Sequence, residues 1–433
     1  MSTLVSFAAL FLSIFLVQLG SGALGPLDAL AGRMLGFTAG EIGLLGSAHF
    51  AGFLAGCWLS PRLIGTVGHA RGFAAAAAVG TAGALLHPVM EDPIAWAGLR
   101  VLTGLSMAGA YTVVESWIHA RLANATRGRV FGAYRVVELG GGVSAQGLIA
   151  VLDPASYAAY NIVAVFCCLC LLPLALTRSV PPETPPAPRL RPLKAAMLAP
   201  SSALAIVVAG MTSAAFRMVG PVYGVETGLG QREIALFLVA CLIGAAAAQL
   251  PVGWIADKID RRHVLIGLSA AAVAAALWLA AVPGRGDARE AILGAAVLGA
   301  TAWPVFSVAG AHANDHAPPG FAVELNAAIL LFFSAGAIVS PALTAWLIGA
   351  HGAGALFVFV AGAHLALILF ALYRMTRRAA VGPVTPYRYL PRTSMVLARL
   401  LNAERPEPGR RGGGEPSRGD ASGAPAPERR DRG

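Results

Sequence analysis

The chain has 433 residues, of which 57% are hydrophobic and only 12% are charged, and its formal net charge at pH 7 is +10. A soluble protein of this length alternates apolar core with polar surface, and this chain shows little alternation, so its composition excludes an ordinary soluble globular protein. The positive charge does not indicate nucleic-acid binding, because 13 of the 32 Lys and Arg residues lie in the tail after residue 373.

Twelve long apolar stretches are predicted to be membrane-spanning helices. The hydrocarbon core of a bilayer is ~30 Å thick, which takes about 18 or more apolar residues to cross. The spans must be helical because backbone groups in lipid have to pair within their own segment. The first stretch is not predicted to be a cleaved signal peptide, because it is long, lacks a basic start and leads directly to the next. In chain order, spans 1 to 12 are 5–30, 41–62, 72–90, 94–119, 130–151, 158–177, 202–225, 233–255, 264–282, 290–311, 323–347 and 353–373.

The distribution of basic residues between the spans predicts the orientation. If the N-terminus lies inside, twelve Lys and Arg residues fall in inside connections and four in outside ones. Cytoplasmic connections carry the excess of basic residues. We therefore expect both termini in the cytoplasm. The five cysteines all fall within predicted spans, where they are interpreted as small apolar side chains. Their spacing predicts no metal site, and nothing in the sequence indicates a cofactor.

The chain is predicted to divide into two six-helix halves, 1–178 and 203–375. The segment 179–202 between them is rich in proline and basic residues, and it is interpreted as a semi-rigid cytoplasmic linker. The segment 376–433 is a predicted cytoplasmic tail. Its part from about residue 404 has a composition that cannot form a core, so we expect disorder there. The stretch 387–401 is an alternative candidate for contact with the membrane surface.

An internal repeat supports this division. The stretch after span 2, residues 61–71, is a degenerate copy of the charged stretch after span 8, about 192 residues later. Spans 5 and 11 also match, at a slightly different offset that aligns Gly142 with Gly336. Two related halves around a central site are a recurring plan of secondary transporters. The sequence therefore predicts an all-α membrane protein of twelve helices in two pseudo-symmetric halves.

The charged stretch itself, "GWIADKIDRR" at 253–262, resembles the loop signature of the major facilitator superfamily, G-x-x-x-D-[RK]-x-G-[RK]-[RK]. The matching positions are Gly253, Asp257, Lys258, Arg261 and Arg262. Asp260 replaces the usual glycine. The resemblance implies that Asp257 braces the cytoplasmic ends of neighbouring helices in the outward-open state, with these charges in water between two spans. The alternative is that the basic residues only obey the positive-inside rule.

Three other stretches are similar to the same superfamily. "RVLTGLSMAG" (100–109) matches its span-4 pattern R-x-x-x-G-x-x-x-[AG], "VVESW" (113–117) resembles a bacterial branch, and "HAND" (312–315) resembles that branch's span-10 end. The resemblance covers about residues 5–375. It implies the twelve-helix fold and a transporter of the bacterial inner membrane, without indicating the cargo.

Ionisable residues inside the spans are the candidates for a substrate or proton pathway, because a charge at the bilayer centre costs at least ~2.5–3.5 kcal/mol. The candidates are Arg100, Glu115, Arg135, Glu138 and Arg217. At ~100° per residue, Arg100 and Glu115 share a stripe of span 4, and Arg135 and Glu138 share one of span 5. His49 is a weaker candidate, and Asp28 lies close to the predicted end of span 1.

Each candidate has a structural alternative. Arg135 and Glu138 are an i,i+3 pair that can simply neutralise each other. Glu115 can instead be a gate partner of Arg127 or Arg129. Arg217 has no partner nearby in the sequence, so it is the leading cargo contact. Its alternative is an ion pair with Asp28 between spans 1 and 7, as an outside gate.

The leading interpretation is a secondary active transporter that moves a small solute by alternating access, with lipid as its surroundings. Proton coupling through Glu138 or Glu115 is one option, since the sequence holds no P-loop for using ATP. The slight excess of Arg over Glu in the spans favours an anionic cargo. An enzyme is not expected, because the connections contain no catalytic motif. A transporter-like sensor or scaffold acting through the basic tail is the alternative function.

Overall fold

The computed structural model describes residues 7–121, 127–176, 191–282, 287–318 and 321–377, and it is helical almost throughout. Eleven of the described helices are long and apolar enough to cross a membrane. The helix Arg127–Val151 is not among them, because its charged and glycine residues lower its mean hydropathy. This helix packs along the first span, so we retain it as span 5.

The observed spans keep the predicted order, with several ends shifted. Spans 1 to 6 are Ala8–Met34, Ala39–Val67, His69–Leu86, Pro93–Arg121, Arg127–Val151 and Tyr157–Leu169, the last continued by the short helix Leu171–Ala175. Spans 7 to 12 are Pro200–Glu226, Gln231–Lys258, Arg261–Ala281, Ala288–Asp315, Ala322–His351 and Ala355–Arg377. Span 10 consists of two helices, Ala288–Ala302 and Pro304–Asp315. We call the membrane side on which span 1 begins the near side, and the side on which it ends the far side.

Two spans that contain a proline extend beyond their approximate predicted ends. The sequence predicts that span 2 ends at residue 62, just after Pro61, and that span 8 ends at residue 255, a few residues after Pro251. Both helices run past these prolines, to Val67 and Lys258. A proline removes one helical hydrogen bond, and neighbouring helices in a membrane protein can compensate for that loss. The connection between spans 8 and 9 is therefore only Ile259 and Asp260.

The predicted linker and tail are described only in part. The linker contains a short helix, Pro192–Leu198, which the sequence did not predict, and span 7 begins at Pro200. Residues 179–190 of the linker lie outside the described residues. So does the tail from residue 378 onward, including the stretch 387–401 and the segment expected to be disordered.

The predicted repeat is visible in two turns on the far side. After span 1 the backbone N–H of Phe37 donates to the carbonyl of Gly32, and at the corresponding place after span 7 the N–H of Leu229 donates to that of Gly224. Gly36 and Gly228 occupy the same place in these turns, with φ of 85° and 79°. A positive φ is accessible to glycine at little cost. The acidic residues that cap spans 2 and 8, Glu41 and Glu233, are related in the same way.

Each half is held together by a reciprocal pair of glycines, and the two pairs are related by the repeat. In the first half Gly52 of span 2 lies against the carbonyl of Val101, and Gly104 of span 4 lies against that of His49. In the second half Gly244 of span 8 lies against the carbonyl of Ala296, and Gly299 of span 10 against that of Cys241. Small residues allow such close backbone approach between membrane helices. The offset between the halves is slightly larger for span 10 than for span 8, consistent with the different offset expected for the later spans.

The two halves meet through several close contacts on the far side. A methyl group at Gly43 of span 2 would overlap Ala345 and the carbonyl of Pro341 on span 11. The backbone N–H of Ala342 donates to Oγ of Ser47 at 3.2 Å. Gln231, at the start of span 8, donates through Nε2 to the carbonyls of Ile149 and Leu152 at the end of span 5. We call these contacts, together with the ion pair described below, the far-side seal.

Candidate functional site

Spans 4 and 5 are joined by two crossed tyrosine–glutamate hydrogen bonds. The hydroxyl of Tyr111 donates to Oε1 of Glu138 at 3.2 Å, and the hydroxyl of Tyr134 donates to Oε1 of Glu115 at 3.1 Å. The helices run antiparallel, so two copies of one spacing, "YTVVE" at 111–115 and "YRVVE" at 134–138, face each other in reverse order. The sequence contained this duplication, but its meaning was missed. We call this arrangement the Tyr–Glu ladder.

The two glutamates of the ladder have different surroundings. Glu115 is buried, and its proposed partners Arg127 and Arg129 have side chains outside the described set. Glu138 is 20% exposed and forms an ion pair with Arg135, which is itself 23% exposed. The predicted i,i+3 contact is therefore formed. Because Tyr111 also donates to Glu138, that carboxylate joins two donors and still faces open space.

Arg217 lies well inside span 7, closer to the far-side end of the helix than to its beginning. Its side chain is partly exposed and forms no hydrogen bond or ion pair with any residue in the described part of the chain. It lies within electrostatic range of Tyr111 and Glu138 of the opposite half, and of Arg100. Arg217 is thus a guanidinium within electrostatic range of the Tyr–Glu ladder, with no ion-pair partner among the described residues.

The sequence predicts that Asp28 lies near a surface, and this is wrong. The residue is buried, with 1% exposure. Its Oδ1 accepts a hydrogen bond from the hydroxyl of Tyr160 at 3.1 Å. Its Oδ2 lies 3.3 Å from Nε2 of His87 and 3.6 Å from Nε of Arg100. The alternative pairing of Arg217 with Asp28 is therefore not formed. We call Asp28, His87, Arg100 and Tyr160 the Asp28 cluster.

The Asp28 cluster combines four different elements. Asp28 is on span 1, Arg100 on span 4 and Tyr160 on span 6, while His87 begins the short turn His87–Val89 that follows span 3. Arg100, a predicted pathway residue, points through Nη2 at Sδ of Met218 on span 7, 3.5 Å away. A small cavity of about 10 Å³ lies between Asp28, Arg100 and Met218. This cluster is hence in contact with the second half of the molecule.

The charged stretch 253–262 is partly buried, which corrects the expectation that its charges lie in water. Arg261 is 1% exposed and forms ion pairs with Asp257, at 3.3 Å, and with Asp315 at the end of span 10. Arg262 is also buried, and its backbone N–H is capped by Asp260. Asp257 remains 41% exposed.

Other parts of this stretch match the first half. Lys258 lies over the ring of Trp254 at 3.6 Å, and Arg62 lies over Trp58 at 4.0 Å. Both cation–aromatic pairs occur at the near-side ends of spans 8 and 2. Gly253 is buried in the last turns of span 8. The Asp315 of "HAND" is a partner of Arg261, which ties that end of span 10 to the charged stretch.

An ion pair links the two halves on the far side. Arg33, at the end of span 1, contacts Glu226, at the end of span 7, at 2.6 Å through Nη2 and Oε1. These side chains are about one-third exposed. Sequence reasoning did not find this pair, because its members are 193 residues apart and each follows a different apolar span. The pair belongs to the far-side seal.

The family model of the Major Facilitator Superfamily (MFS) matches residues 10–205 and 202–404 of the chain. The chain belongs to this superfamily. It is therefore a multi-pass membrane transporter, and its substrate is a small molecule. The resemblance seen in the charged stretch and in span 4 is confirmed at the level of the superfamily.

The similar proteins are MFS transporters as well. The uncharacterized MFS-type transporter Ent638_1421 of Enterobacter sp. (strain 638) is 25% identical over 334 residues, which are 77% of this chain and 86% of that protein. The uncharacterized MFS-type transporter YcaD of Salmonella arizonae is 25% identical over 378 residues, covering 84% of this chain and 94% of that protein.

Solved structures show the same fold. The nucleoside transporter NupG has a TM-score of 0.71 at 14% identity, covering 87% of this chain and 100% of that one. A bacterial homolog of the human lysosomal transporter Spinster, in an inward-facing and unoccupied conformation, has a TM-score of 0.65 at 15% identity, covering 85% of this chain and 94% of that one. At these identities the likeness concerns the fold alone.

Proposed function

We propose that this MFS protein is a secondary active transporter that moves a small solute across a bacterial inner membrane by alternating access. In this proposal the near side faces the cytoplasm and both termini lie there, in agreement with the excess of basic residues in near-side connections. Two pseudo-symmetric halves around a central polar region support a rocking motion of one half against the other.

The observation that carries the proposal is the environment of Arg217. A guanidinium well inside a span and without a carboxylate partner is costly, and a bound anion would offset that cost. The planar fork also suits bidentate contact with a carboxylate or a phosphate. Arg217 lies within electrostatic range of Tyr111 and Glu138 in the other half. We therefore assign it as the contact for an anionic or strongly hydrogen-bonding group of the cargo, with Arg135 and Glu138 on the opposite wall.

The contacts between the halves support a state that is open toward the cytoplasm. The far-side seal joins spans 2 and 11, spans 5 and 8, and the ends of spans 1 and 7. Arg135 and Glu138 nevertheless keep about one-fifth of their surface exposed. Entry from the near side accounts for both features. In the opposite state the seal would open, while Asp257, Arg261 and Asp315 would brace the near-side ends.

Binding and transport by Arg217 variants test the proposal. Purified wild-type protein is screened by thermal unfolding against small carboxylates and phosphates and against their neutral amides and alcohols. We expect some anions to raise the unfolding temperature, because a ligand that binds only the folded state stabilises it. Arg217→Lys keeps the charge but loses the planar fork. About tenfold more anion should then be needed for the same stabilisation, a loss of about 1.4 kcal/mol in binding free energy.

The matched control is Arg62→Lys, the same substitution at an exposed near-side position. It should bind the anions as the wild type does. Each anion that binds is then tested for exchange across proteoliposomes. Equal binding by Arg217→Lys and wild type would contradict the assignment of Arg217, and binding without any exchange would contradict transport.

A further inference from the structure

His49 of span 2 is a buried histidine whose ring nitrogens form no hydrogen bond with any residue in the described part of the chain. The residue is 4% exposed. Nδ1 is shielded on all sides, whereas Nε2 is not and keeps access to open space. Buried polar atoms of folded proteins are nearly always hydrogen-bonded, so an unpartnered one needs an explanation. His49 is therefore a candidate to bind a group that comes from outside the chain.

The packing of two glycines shows in which direction His49 points. Gly46, three residues before it, packs against span 7, where an added Cβ would lie 2.7 Å from that of Met218. Gly52, three residues after it, lies against the carbonyl of Val101 on span 4. At ~100° per residue, His49 lies ~60° from each glycine and between the two around the helix. Its side chain is therefore directed between span 4 and span 7.

Each of these two neighbouring spans brings an arginine to this region. Arg100 of span 4 and Arg217 of span 7 both lie within electrostatic range of His49. Nε of Arg100 is 3.6 Å from a carboxylate oxygen of Asp28. Arg217 has no ion-pair partner among the described residues. The region thus holds an unpartnered guanidinium from the second half and an unpartnered imidazole from the first.

The backbone of His49 is fixed, so the residue cannot easily move to find a partner within its own half. Its carbonyl lies against Gly104 of span 4, in the close contact between spans 2 and 4. Its ring meets that of Phe50 edge to face, with centroids 5.4 Å apart. Packing of this kind needs an aromatic ring but not the ring nitrogens. An incoming molecule has to supply the missing hydrogen bond.

We propose that His49 is a second cargo contact, which binds a hydroxyl group of a small anion whose charged group is bound by Arg217. The inference rests on the proposed function and specifies its substrate class, the hydroxylated carboxylates and phosphates. A cargo bound in this way would connect the two halves of the molecule, because His49 belongs to the first and Arg217 to the second.

The hydrogen-bond chemistry of imidazole favours a hydroxyl as its partner. In a neutral imidazole Nε2 either donates or accepts, depending on the tautomer. A hydroxyl can do both, so it fits either form. A carboxylate oxygen can only accept. An ammonium group can only donate, and it would also be repelled by the two arginines within electrostatic range of His49.

The same contact predicts rejection of anions that lack the hydroxyl. Such an anion would cover Nε2 without forming a hydrogen bond, and a buried polar group of the site would be left unpaired. The net contribution of one hydrogen bond corresponds to roughly two- to tenfold in affinity. His49 would therefore determine which anions bind, while Arg217 would determine that anions bind at all.

Binding of matched anion pairs tests the proposal. The pairs are lactate and propionate, 3-hydroxybutyrate and butyrate, and glycerol 3-phosphate and propyl phosphate, whose members differ only in hydroxyl groups. The concentration of each anion that gives a fixed rise in the unfolding temperature of the purified full-length protein is measured at one pH. We expect the hydroxylated member of at least one pair to bind roughly two- to tenfold more tightly than its partner.

Three variants show whether this preference comes from the imidazole. His49→Leu removes the ring nitrogens at similar volume, so both members of the pair should bind equally. His49→Gln places an amide close to the position of Nε2, and an amide can donate and accept, so part of the preference should return. His351→Leu is the same substitution at an exposed position and should keep the wild-type preference. Structural damage would weaken both members alike and leave their ratio unchanged.

The stability of His49→Leu without ligand is a second measurement. Replacement of an unpartnered buried polar group by an apolar one of similar shape is neutral or stabilising. This variant should therefore unfold at the wild-type temperature or above it. A clearly lower temperature, or failure to fold, would mean that the ring nitrogens have a partner in the free protein, and it would overturn the proposal. So would a wild type without any hydroxyl preference, or a preference that survives in His49→Leu.

Failure of this inference can be distinguished from failure of the proposed function. Arg217→Lys should weaken both members of a pair and keep their ratio. Anion binding that depends on Arg217 but shows no hydroxyl preference would refute the contact at His49 alone. Lactamide and propionamide are a neutral pair with the same difference. Preference for lactamide that depends on His49, without binding of any anion, would refute the anion contact alone. Absence of binding by every probe would overturn the contact at His49 as well.

Discussion

Arg261 is almost completely buried, and it forms ion pairs with two carboxylates that differ in exposure, those of Asp257 and Asp315. Asp257 is 41% exposed and Asp315 is 8% exposed. Breaking a buried ion pair leaves an uncompensated charge and costs about 3–5 kcal/mol, whereas an exposed pair contributes about 0–1 kcal/mol. Asp315 therefore matters more to the stability of the near-side end than the aspartate of the superfamily signature does.

We accordingly predict an order of effects for two matched substitutions. Asp315→Asn should lower the free energy of unfolding by several kcal/mol, up to about 3–5, and Asp257→Asn by about 1 kcal/mol or less. Asp257→Asn should still slow transport, because in the proposed mechanism that carboxylate braces the near side in the outward-open state. Thermal unfolding in detergent and exchange in proteoliposomes measure the two properties. Equal free energies of unfolding for the two variants would contradict the larger contribution of the less exposed carboxylate.

The pair Arg33–Glu226 leads to a second prediction at this scale. An exposed ion pair contributes about 0.2–1 kcal/mol, a factor of about 1.4 to 5 in an equilibrium. Arg33→Glu should therefore open the far-side seal more often. Labelling of Ser47→Cys by a membrane-impermeant thiol reagent would measure it, because this buried position lies within the seal. The double variant Arg33→Glu/Glu226→Arg should return labelling toward the wild-type rate, and no return would mean that the pair itself does not hold the seal.

The glycine pairs make a prediction at the scale of whole helices. Alanine at Gly104 would overlap the carbonyl of His49, so spans 2 and 4 must separate. Overpacking typically costs about 1–3 kcal/mol, and a backbone obstacle cannot rotate away. Gly98, in the same span, has open space around it. Gly98→Ala is therefore the matched control and should gain up to about 1 kcal/mol from helix propensity. Thermal unfolding of the two variants is the measurement. Similar melting temperatures would contradict the close backbone approach of spans 2 and 4.

The Tyr–Glu ladder predicts another effect on helix packing. Tyr134→Phe removes the hydroxyl that donates to buried Glu115 while keeping the ring. A hydrogen bond to a charged group contributes about 1.5–3 kcal/mol, so unfolding should become easier by that amount. Tyr157→Phe is the control, since Tyr157 is 61% exposed. If both substitutions cost the same in chemical or thermal unfolding, the ladder does not join spans 4 and 5.

For the whole molecule, the even number of spans predicts that both termini lie on one side, the cytoplasm. A fluorescent protein fused after residue 377 should fluoresce, since it matures in the cytoplasm, while alkaline phosphatase fused there should stay inactive. Insertion of the phosphatase between Gly36 and Phe37, in the far-side turn, is the control and should be active. The reverse pattern would invert the assignment of the near side and with it the direction of the seal.

Much of this architecture could be predicted from the sequence because it depends on local composition. Span order, the repeat and the near-side excess of basic residues need only apolar length and charge. The Asp28 cluster could not be found in this way. The predicted end of span 1 at residue 30 places Asp28 beside water, but the helix continues to Met34. Its partners come from three other elements, and a single sequence does not show which helices touch.

The candidate pathway residues show the same limit. Arg135 and Glu138 pair as their spacing predicts, because both lie on one helix. Asp315, the less exposed partner of Arg261, is 54 residues away, and Glu226, the partner of Arg33, is 193 residues away, so packing alone determines these two pairs. Arg217 remains the proposed cargo contact for a related reason: among the described residues no carboxylate lies within ion-pair distance of it, and Glu138 is only within electrostatic range.

The reciprocal glycines restrict how the molecule can move. At Gly52 and Gly104, and again at Gly244 and Gly299, backbone touches backbone with no side chain between them that could change rotamer. Side-chain contacts can slide by small steps, but these contacts either hold or break. Spans 2 and 4 should therefore move as one rigid body, and spans 8 and 10 as another. Spans 7 and 11 are joined in the same way, with Gly210 against the carbonyl of Phe333 and Gly336 against that of Val207. Deformation during the cycle would then concentrate in the helices outside these three rigid pairs.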